Sequence, residues 1–214
     1  MKNIIFGPPG TGKTHKLLSI VEEALAKGID PDQIGYFAYT RRAATEAITR
    51  AVNQFPQYDK KDFKYFRTLH SLAYMELGLN DSSLMDDGDY KEMSDLLKAK
   101  ISNPANRYDN YGTGWQDDKF VNIVDLARIK DVSLEHQFCQ PSTGHLIGGF
   151  LKLRKIASGL EKYKKQNGFL DFTDMILEFV KRDMSPKFRL LIIDEAQDLS
   201  AIQWNMVDLL CKNA

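Results

Sequence analysis

The sequence has little that would mark an extracellular or membrane-bound protein. Among its 214 residues it has only two cysteines, Cys139 and Cys211, in no spacing typical of a metal site or redox pair. This argues against a fold held by disulfides and favours a reducing compartment. No apolar run approaches the length of a membrane span, and the run before Gly7 is too short for a signal peptide. We therefore expect a cytoplasmic globular protein with no membrane partner.

An excess of charge of one sign is also absent. Lysine and arginine total 29, as do aspartate and glutamate, so the net charge is zero. No global positive field favours nucleic acid, and any such partner must be held by local groups of basic residues. Hydrophobic residues make up 43% of the chain, which is ample for a buried core in one large domain or two small ones.

What the sequence does contain is a glycine-rich loop, GPPGTGKT, at residues 7–14. It follows a short apolar run and precedes a helical pattern, which is the context of a P-loop. The glycines let backbone amides point at phosphate oxygens, and the following helix adds the positive end of its dipole. We expect Lys13 to reach the β/γ-phosphates and Thr14 to bind Mg²⁺. The expected nucleotide-binding residues are Gly7, Pro8, Pro9, Gly10, Thr11, Gly12, Lys13 and Thr14.

Strand and helix patterns alternate along the first 75 residues. Short apolar runs predict strands at residues 3–6, 34–39 and 64–67. Helical patterns follow, the first ending at Gly28 and the second beginning after Thr40 as its N-cap. Alternation of this kind indicates a parallel sheet and an α/β fold.

The pattern changes at about residue 76. Helical patterns occur around Tyr90 and Phe120 and over residues 146–160, with a polar loop predicted at residues 103–114. The α/β pattern then resumes, with Asp171 and Asp174 resembling a capping box and an apolar strand at residues 188–193. The sequence therefore predicts a discontinuous α/β domain, residues 1–75 and 169–214, interrupted by a helical insertion at residues 76–168.

Two carboxylates follow the last predicted strand. Ligands of open α/β sheets lie at the carboxyl ends of the strands, so Asp194 is placed to bind Mg²⁺, directly or through water. Glu195 is then placed to polarise an attacking water as a general base. An Asp-Glu pair after a strand is commonly just a solvated turn, but its combination with the glycine-rich loop favours a catalytic role.

Five motifs, GPPGTGKT, YTRRAA, TLHS, DFTDM and DEAQD, occur in this order between residues 7 and 198. In order and spacing they resemble the N-terminal motor domain of superfamily 1 DNA helicases of the UvrD/Rep type. The resemblance implies a RecA-like P-loop NTPase fold with an all-helical insertion subdomain. It also implies ATP-driven translocation along single-stranded DNA, with ATP and Mg²⁺ as cofactors. The implied partners are single-stranded DNA and single/double-strand junctions, in DNA replication or repair.

The resemblance also assigns roles to individual side chains. Gln197 falls where the family has a residue that senses the γ-phosphate and couples it to DNA. From the residues alone, Thr40 is equally an N-cap candidate and His70 a core histidine candidate. Tyr39 and Phe66 are candidates for stacking on bases, although aromatics at strand ends are more often core. The residues that match the family's DNA-backbone contacts are Thr40, Arg41, Arg42, Thr68, His70 and Ser71.

The chain departs from the family pattern in several places. Arg41 and Arg42 stand where the usual motif has Asn-Lys, and Leu69 where an aromatic is frequent. In the family, a second RecA-like domain follows DEAQD, and its arginines contact the γ-phosphate across the cleft. We therefore expect this chain by itself to be weakly active or inactive as an ATP hydrolase. The alternatives are a nucleotide-switched DNA-binding or regulatory module without unwinding activity, and a P-loop ATPase acting on something other than DNA.

Overall fold

A computed structural model describes residues 3–8, 10–103, 117–141 and 149–214. In these residues the chain forms three strands, β1 (Ile34–Phe37), β2 (Phe66–Arg67) and β3 (Leu190–Ile193). The α-helices of the same residues are α1 (Lys13–Ala26), α2 (Arg41–Gln54), α3 (Leu69–Glu76), α4 (Asp87–Leu97), α5 (Asp118–Ile129), α6 (Leu134–Phe138), α7 (Gly149–Asn167), α8 (Phe172–Lys181) and α9 (Ala201–Lys212). None of these described helices combines the length and the apolar composition that crossing a bilayer requires.

The three strands form one parallel sheet in the order β2-β1-β3. In the central strand, Tyr36 lies opposite Phe66 of β2 on one side and Ile192 of β3 on the other. All four residues of β1 are buried, as a continuous apolar run at the centre of a parallel sheet predicts. Parallel neighbours need a crossover connection, and α2 supplies it between β1 and β2. Helices combined with a small parallel sheet are compatible with the predicted α/β fold.

The apolar run at residues 3–6 does not form the predicted strand. It has no regular secondary structure, and Ile4 and Phe6 are 76% and 88% exposed. The ladders of the described sheet join β1 to β2 and to β3 and do not include this run. A four-residue run cannot hold an extended conformation by local interactions, because its backbone groups need a neighbouring strand. The prediction of a strand at residues 3–6 is therefore wrong.

The predicted helix boundaries are confirmed where their local chemistry is strong. The Thr40 hydroxyl accepts a hydrogen bond from the Ala43 amide at 3.2 Å and caps α2. Gly28 follows α1 with a φ of +76°, which glycine adopts without steric cost. α8 begins at a reciprocal capping box, in which the Asp171 and Asp174 amides each donate to the other residue's carboxylate, at 3.0 and 2.8 Å.

The other predicted elements are confirmed in position, with different ends. The strands predicted at residues 34–39, 64–67 and 188–193 are β1, β2 and β3, shortened to the residues that have ladder partners. The patterns around Tyr90 and Phe120 are α4 and α5, and α4 ends where Lys98 adopts a φ of +51°. Outside the described residues lie Pro9, residues 104–114 of the predicted loop and residues 146–148 of the predicted helix.

By their contacts, the described residues divide into two compact units. The first unit comprises those within residues 1–76, 179–199 and 203–214. Its core joins α1 and α2 to the sheet through buried residues such as Leu18, Val21 and Ile192. Buried alanines at positions 44, 47 and 51 form one face of α2. Their small side chains let α2 lie close to the elements beneath it.

The second unit comprises the described residues within 77–178 and 200–202, and its core is helical. α7 contacts both α4 and α5, in a core that includes the buried residues Met93, Phe120 and Leu153. At Gly159 of α7, an added Cβ would lie 2.3 Å from Cδ2 of Leu97. Glycine at this position therefore permits the close approach of α7 to α4.

Four buried or partly buried charges form an ion cluster within the second unit. The Lys164 ammonium contacts carboxylate oxygens of Asp171 and Asp174, each at 2.6 Å. The Arg128 guanidinium contacts Asp171 at 2.8 Å and also reaches Asp174. Burial by itself would raise the pKa of Asp171, but the adjacent Arg128 and Lys164 hold that pKa well below its usual range. The DFTDM motif thus caps α8 and fixes it to α5 and α7.

Candidate functional site

The glycine-rich loop leads directly into the first turn of α1. Gly10 and Gly12 have φ angles of +78° and +81°, which favour glycine over any residue with a side chain. Gly12 is the N-cap of α1 and provides no side-chain cap. The first-turn amides of α1 are therefore not capped by Gly12, and together with the helix dipole they suit an anion.

The loop is folded over its own lysine. The Lys13 ammonium donates to the carbonyl oxygens of Gly7 and Pro8 at 2.9 and 3.0 Å. The Thr11 hydroxyl donates to the same Pro8 carbonyl at 2.7 Å. A Cβ on Gly7 would lie 2.5 Å from the Thr11 hydroxyl oxygen, so this packing depends on glycine. The contacts hold the ammonium group at the loop that precedes α1.

Asp194 follows β3 and is almost fully buried, with 4% of its surface exposed. Its amide donates to the Phe37 carbonyl of β1 at 2.9 Å, which extends the pairing of β3 with β1 by one residue. The Thr14 hydroxyl lies 3.5 Å from Oδ2 of Asp194. The fold therefore brings together the two residues that the sequence predicts as magnesium ligands. A hydroxyl and a carboxylate are oxygen ligands of the kind that Mg²⁺ prefers.

Tyr36 also contacts Asp194, and no motif predicted this. The Tyr36 hydroxyl donates to Oδ2 of Asp194 at 2.9 Å. The ring has no exposed surface and stacks on Phe66 with 5.4 Å between ring centroids. Burial, with the Asp194 charge, raises the pKa of Tyr36 well above its usual value, so the phenol keeps its proton and acts as the donor. In sequence, a tyrosine inside a buried strand is indistinguishable from an ordinary core aromatic.

Glu195 and Gln197 lie on the exposed turn that follows Asp194. Glu195 has a φ of +54°, a left-handed conformation that is uncommon for a residue with a long side chain. The side-chain amide of Gln197 donates to the Glu195 carboxylate at 2.5 Å and to the Asp198 carboxylate at 3.4 Å. The turn thus holds Glu195, Gln197 and Asp198 as one polar group beside Asp194.

A cavity of about 290 Å³ adjoins these residues. It is lined by Thr14, Asp194 and Glu195 and by residues around the start of α2 that include Tyr39 and Thr40. The cavity therefore joins the predicted metal ligands and the predicted general base to the first of the predicted DNA contacts.

The predicted DNA contacts at the start of α2 are exposed. Arg41 and Arg42 form the first turn of α2 beside the capping Thr40. Within the described part of the chain, neither guanidinium takes part in an ion pair. Two positive charges at a helix N-terminus are unfavourable to the helix dipole, so this placement does not serve α2 itself.

The second predicted set of DNA contacts takes part in local structure. The Thr68 hydroxyl accepts from the Ser71 amide at 3.2 Å, as an N-cap of α3 does. The Arg67 guanidinium donates to the Ser71 carbonyl and hydroxyl oxygens at 3.3 and 3.4 Å. His70 is largely buried, and burial lowers the pKa of its imidazole.

The two candidate base-stacking aromatics differ in exposure. Tyr39 is 54% exposed and faces the cavity. Phe66 is 3% exposed and packs between Tyr36 and Phe63, whose ring centroids lie 5.4 and 4.9 Å away. The stacking prediction is therefore wrong for Phe66, because the parallel register of β2 on β1 places its ring in the core.

A model of the family "UvrD/REP helicase N-terminal domain" matches residues 1–214. The chain is 28% identical, over 235 aligned positions, to a "Probable DNA helicase II homolog" of Mycoplasma pneumoniae. The alignment covers 99% of this chain and 31% of the relative. A "Probable DNA helicase" of the same organism is 25% identical over 236 residues, covering 97% and 41%. A "Probable DNA helicase II homolog" of Mycoplasma genitalium is 22% identical over 232 residues, covering 97% and 31%. The chain thus spans less than half the length of these relatives.

Proposed function

Because this chain belongs to the UvrD/REP helicase N-terminal domain family, we propose that it is the ATP-binding motor domain of a DNA helicase. The observation that carries the proposal is the 3.5 Å approach of Thr14 to Asp194, 180 positions apart in sequence. A hydroxyl at the end of a glycine-rich loop and a carboxylate at the end of a strand are what a magnesium–nucleotide site needs. The proposed cofactors are ATP and Mg²⁺.

The loop at residues 7–14 is the proposed phosphate-binding element. Phosphate oxygens take the place of the Gly7 and Pro8 carbonyls as acceptors for the Lys13 ammonium. The amides of the loop and of the first turn of α1 bind the remaining oxygens. The positive φ angles of Gly10 and Gly12 support this assignment, because they give the loop the curvature that such a cradle requires.

Thr14 and Asp194 are the proposed magnesium-binding residues, and an ion held there would neutralise phosphate charge. Glu195 accepts the proton of the attacking water as general base. Gln197 is proposed to sense the γ-phosphate, and its hydrogen bond to the Glu195 carboxylate supports that role. Support comes from the cavity of about 290 Å³, which Thr14, Asp194 and Glu195 line together.

We further propose a RecA-like fold made of residues 1–75 and 169–214, with residues 76–168 as a helical insertion subdomain. The parallel order β2-β1-β3 supports the first part. The division of contacts supports the proposed start of the insertion, since the first compact unit ends at Glu76. That unit resumes only at Phe179, so residues 169–178, like residues 200–202, group by their contacts with the helical unit.

Single-stranded DNA, and its junction with duplex, is the proposed substrate. Arg41 and Arg42, beside Thr40, are proposed to hold backbone phosphates without reading sequence. Their exposure at the start of α2 supports this role. Thr68, His70 and Ser71 are proposed as a second set of contacts. A second RecA-like domain is the proposed partner in hydrolysis, which accords with the 31–41% share of the relatives that this chain covers.

Nucleotide and DNA binding test the proposal directly. We expect a fluorescent ATP analogue to bind with Mg²⁺ and Lys13→Ala to weaken that binding at least tenfold. We also expect fluorescence anisotropy to detect binding of single-stranded DNA at low salt. Nucleotide binding without any single-strand affinity would indicate an ATPase that acts on another substrate. Binding of both ligands, without DNA-stimulated hydrolysis once a second RecA-like domain is present, would indicate a regulatory module. Absence of nucleotide binding would refute the motor proposal.

A further inference from the structure

We propose that Tyr36 is a positioning residue that orients Asp194 for magnesium binding. The inference rests on the proposed function, because it concerns the same magnesium site. It goes further in naming a residue outside the glycine-rich loop and the DEAQD motif. The Tyr36 hydroxyl, 158 positions from Asp194 in sequence, donates to Oδ2 of that carboxylate at 2.9 Å.

The sheet register explains why Tyr36 reaches Asp194. Tyr36 is paired with Ile192 in the parallel ladder of β1 and β3, so the two side chains point to the same face of the sheet. Asp194 lies two residues beyond Ile192 and returns to that face, because side chains alternate along a strand. Two residues span about 6.6 Å, a distance that a tyrosine side chain can cover and a shorter polar side chain cannot.

The hydrogen bonds of Asp194 leave its carboxylate one defined orientation. Oδ1 accepts from the Glu195 amide at 3.0 Å, whereas Oδ2 accepts from Tyr36 at 2.9 Å and faces Thr14 at 3.5 Å. An ionised carboxylate has about four lone-pair sites on its two oxygens, so capacity for a cation remains. The backbone amide restrains one oxygen, and Tyr36 restrains the oxygen that faces Thr14.

Tyr36 itself is held rigidly. Its ring has no exposed surface and stacks against Phe66 at an interplanar angle of 23°. The donor to Asp194 is therefore fixed by the sheet and the core rather than by a loop. Hydrogen-bonding partners of this kind set the orientation of metal-binding side chains, and their loss typically weakens metal binding about 10- to 100-fold.

The same hydrogen bond could serve only to satisfy the buried hydroxyl of Tyr36 and so stabilise the fold. The experiment therefore has to distinguish this structural role from the positioning of Asp194 for Mg²⁺. Tyr36→Phe removes the hydroxyl and keeps the ring. Tyr163→Phe is the matched control, because the Tyr163 hydroxyl donates to a carboxylate oxygen of Glu92 at 2.8 Å in the other unit. The measurements on residues 1–214 are binding of N-methylanthraniloyl-ATP during a Mg²⁺ titration, its binding in EDTA, and thermal unfolding.

We expect Tyr36→Phe to raise the half-saturating Mg²⁺ concentration about tenfold and to leave binding in EDTA unchanged. Tyr163→Phe should change neither. A lower melting temperature for Tyr36→Phe with an unchanged or lower half-saturating Mg²⁺ concentration would overturn the proposal and leave a structural role.

Asp194→Asn separates this inference from the proposed function. If Asp194→Asn removes the Mg²⁺ dependence while Tyr36→Phe does not shift it, only the role of Tyr36 fails. If the wild-type chain binds no nucleotide, or Asp194→Asn leaves the Mg²⁺ dependence intact, the magnesium site fails and the role of Tyr36 fails with it.

Discussion

The ammonium group of Lys13 donates a hydrogen bond to the carbonyl oxygen of Gly7 at 2.9 Å. The loop thus uses its own backbone as the acceptor for the charge that is proposed to bind phosphate. Opening these contacts costs little, because phosphate oxygens are stronger acceptors for an ammonium group than neutral carbonyls.

Lys13→Ala should therefore lower nucleotide affinity at least tenfold while leaving the fold intact, since among the described residues its ammonium group donates to carbonyls of its own loop. The measurement is titration with a fluorescent ATP analogue, together with circular dichroism. Lys16→Ala, at an exposed position one turn along α1, is the control and should bind normally. Equal losses in both variants would point to a general charge effect rather than to a specific phosphate contact.

Thr14 offers a test of magnesium binding by its hydroxyl. Thr14→Val keeps the shape of the side chain but removes the oxygen that faces Asp194 at 3.5 Å, so the stimulation of nucleotide binding by Mg²⁺ should largely disappear. Thr14→Ser restores the oxygen and should restore the stimulation. The readout is nucleotide affinity with Mg²⁺ and in EDTA. Stimulation that persists in Thr14→Val would exclude the hydroxyl as a ligand.

Arg41 and Arg42 should contribute to DNA affinity through charge alone. Replacing both by Gln should weaken single-stranded DNA binding. The negative slope of log K for association against log[salt] should become shallower by about 1.4, because two phosphate contacts are lost. Fluorescence anisotropy at several salt concentrations measures both quantities. The control replaces the exposed Lys60 and Lys61 by Gln, which removes the same charge elsewhere. If the control changes the slope as much, the effect is one of net charge.

The ion cluster of the helical unit should depend on Lys164. Lys164→Met leaves two carboxylates with Arg128 as their remaining cation, and removal of one partner of a buried ion pair costs about 3 kcal/mol or more. For a chain of this size, that corresponds to a fall in melting temperature of roughly 6 to 12 °C. Lys165→Met, at the exposed neighbouring position, should change the melting temperature little. Equal melting temperatures for the two variants would show that the cluster does not stabilise this unit.

His70 should make stability depend on pH. Burial lowers the pKa of its imidazole in the folded state, so the unfolded chain binds the proton more readily. The contribution of neutral His70 to the free energy of unfolding is therefore fully present above the unfolded-state imidazole pKa of about 6.5. That contribution is lost as the pH falls below this value. His70→Gln should lose less stability than the wild type between pH 7 and 5, as measured by urea unfolding. Parallel pH profiles for the two proteins would rule out a contribution from His70.

The family resemblance and much of the local structure could be predicted because they depend on residues close together in sequence. The UvrD/Rep resemblance is confirmed by the family match over residues 1–214. The Thr40 cap is confirmed because its partner is three residues away. The prediction of a strand at residues 3–6 is wrong because a strand also needs a neighbouring strand to pair with. No local sequence pattern shows whether such a partner is present.

By itself, the sequence determined the glycine-rich loop, the carboxylates after β3 and the caps of α2 and α8, because short-range sterics and hydrogen bonding specify them. Only the tertiary structure decided that Thr14 lies beside Asp194, that Phe66 is core and that Tyr36 contacts Asp194. These relationships follow from the register of three parallel strands. That register is set by how whole side-chain faces pack together, over separations of up to 180 residues.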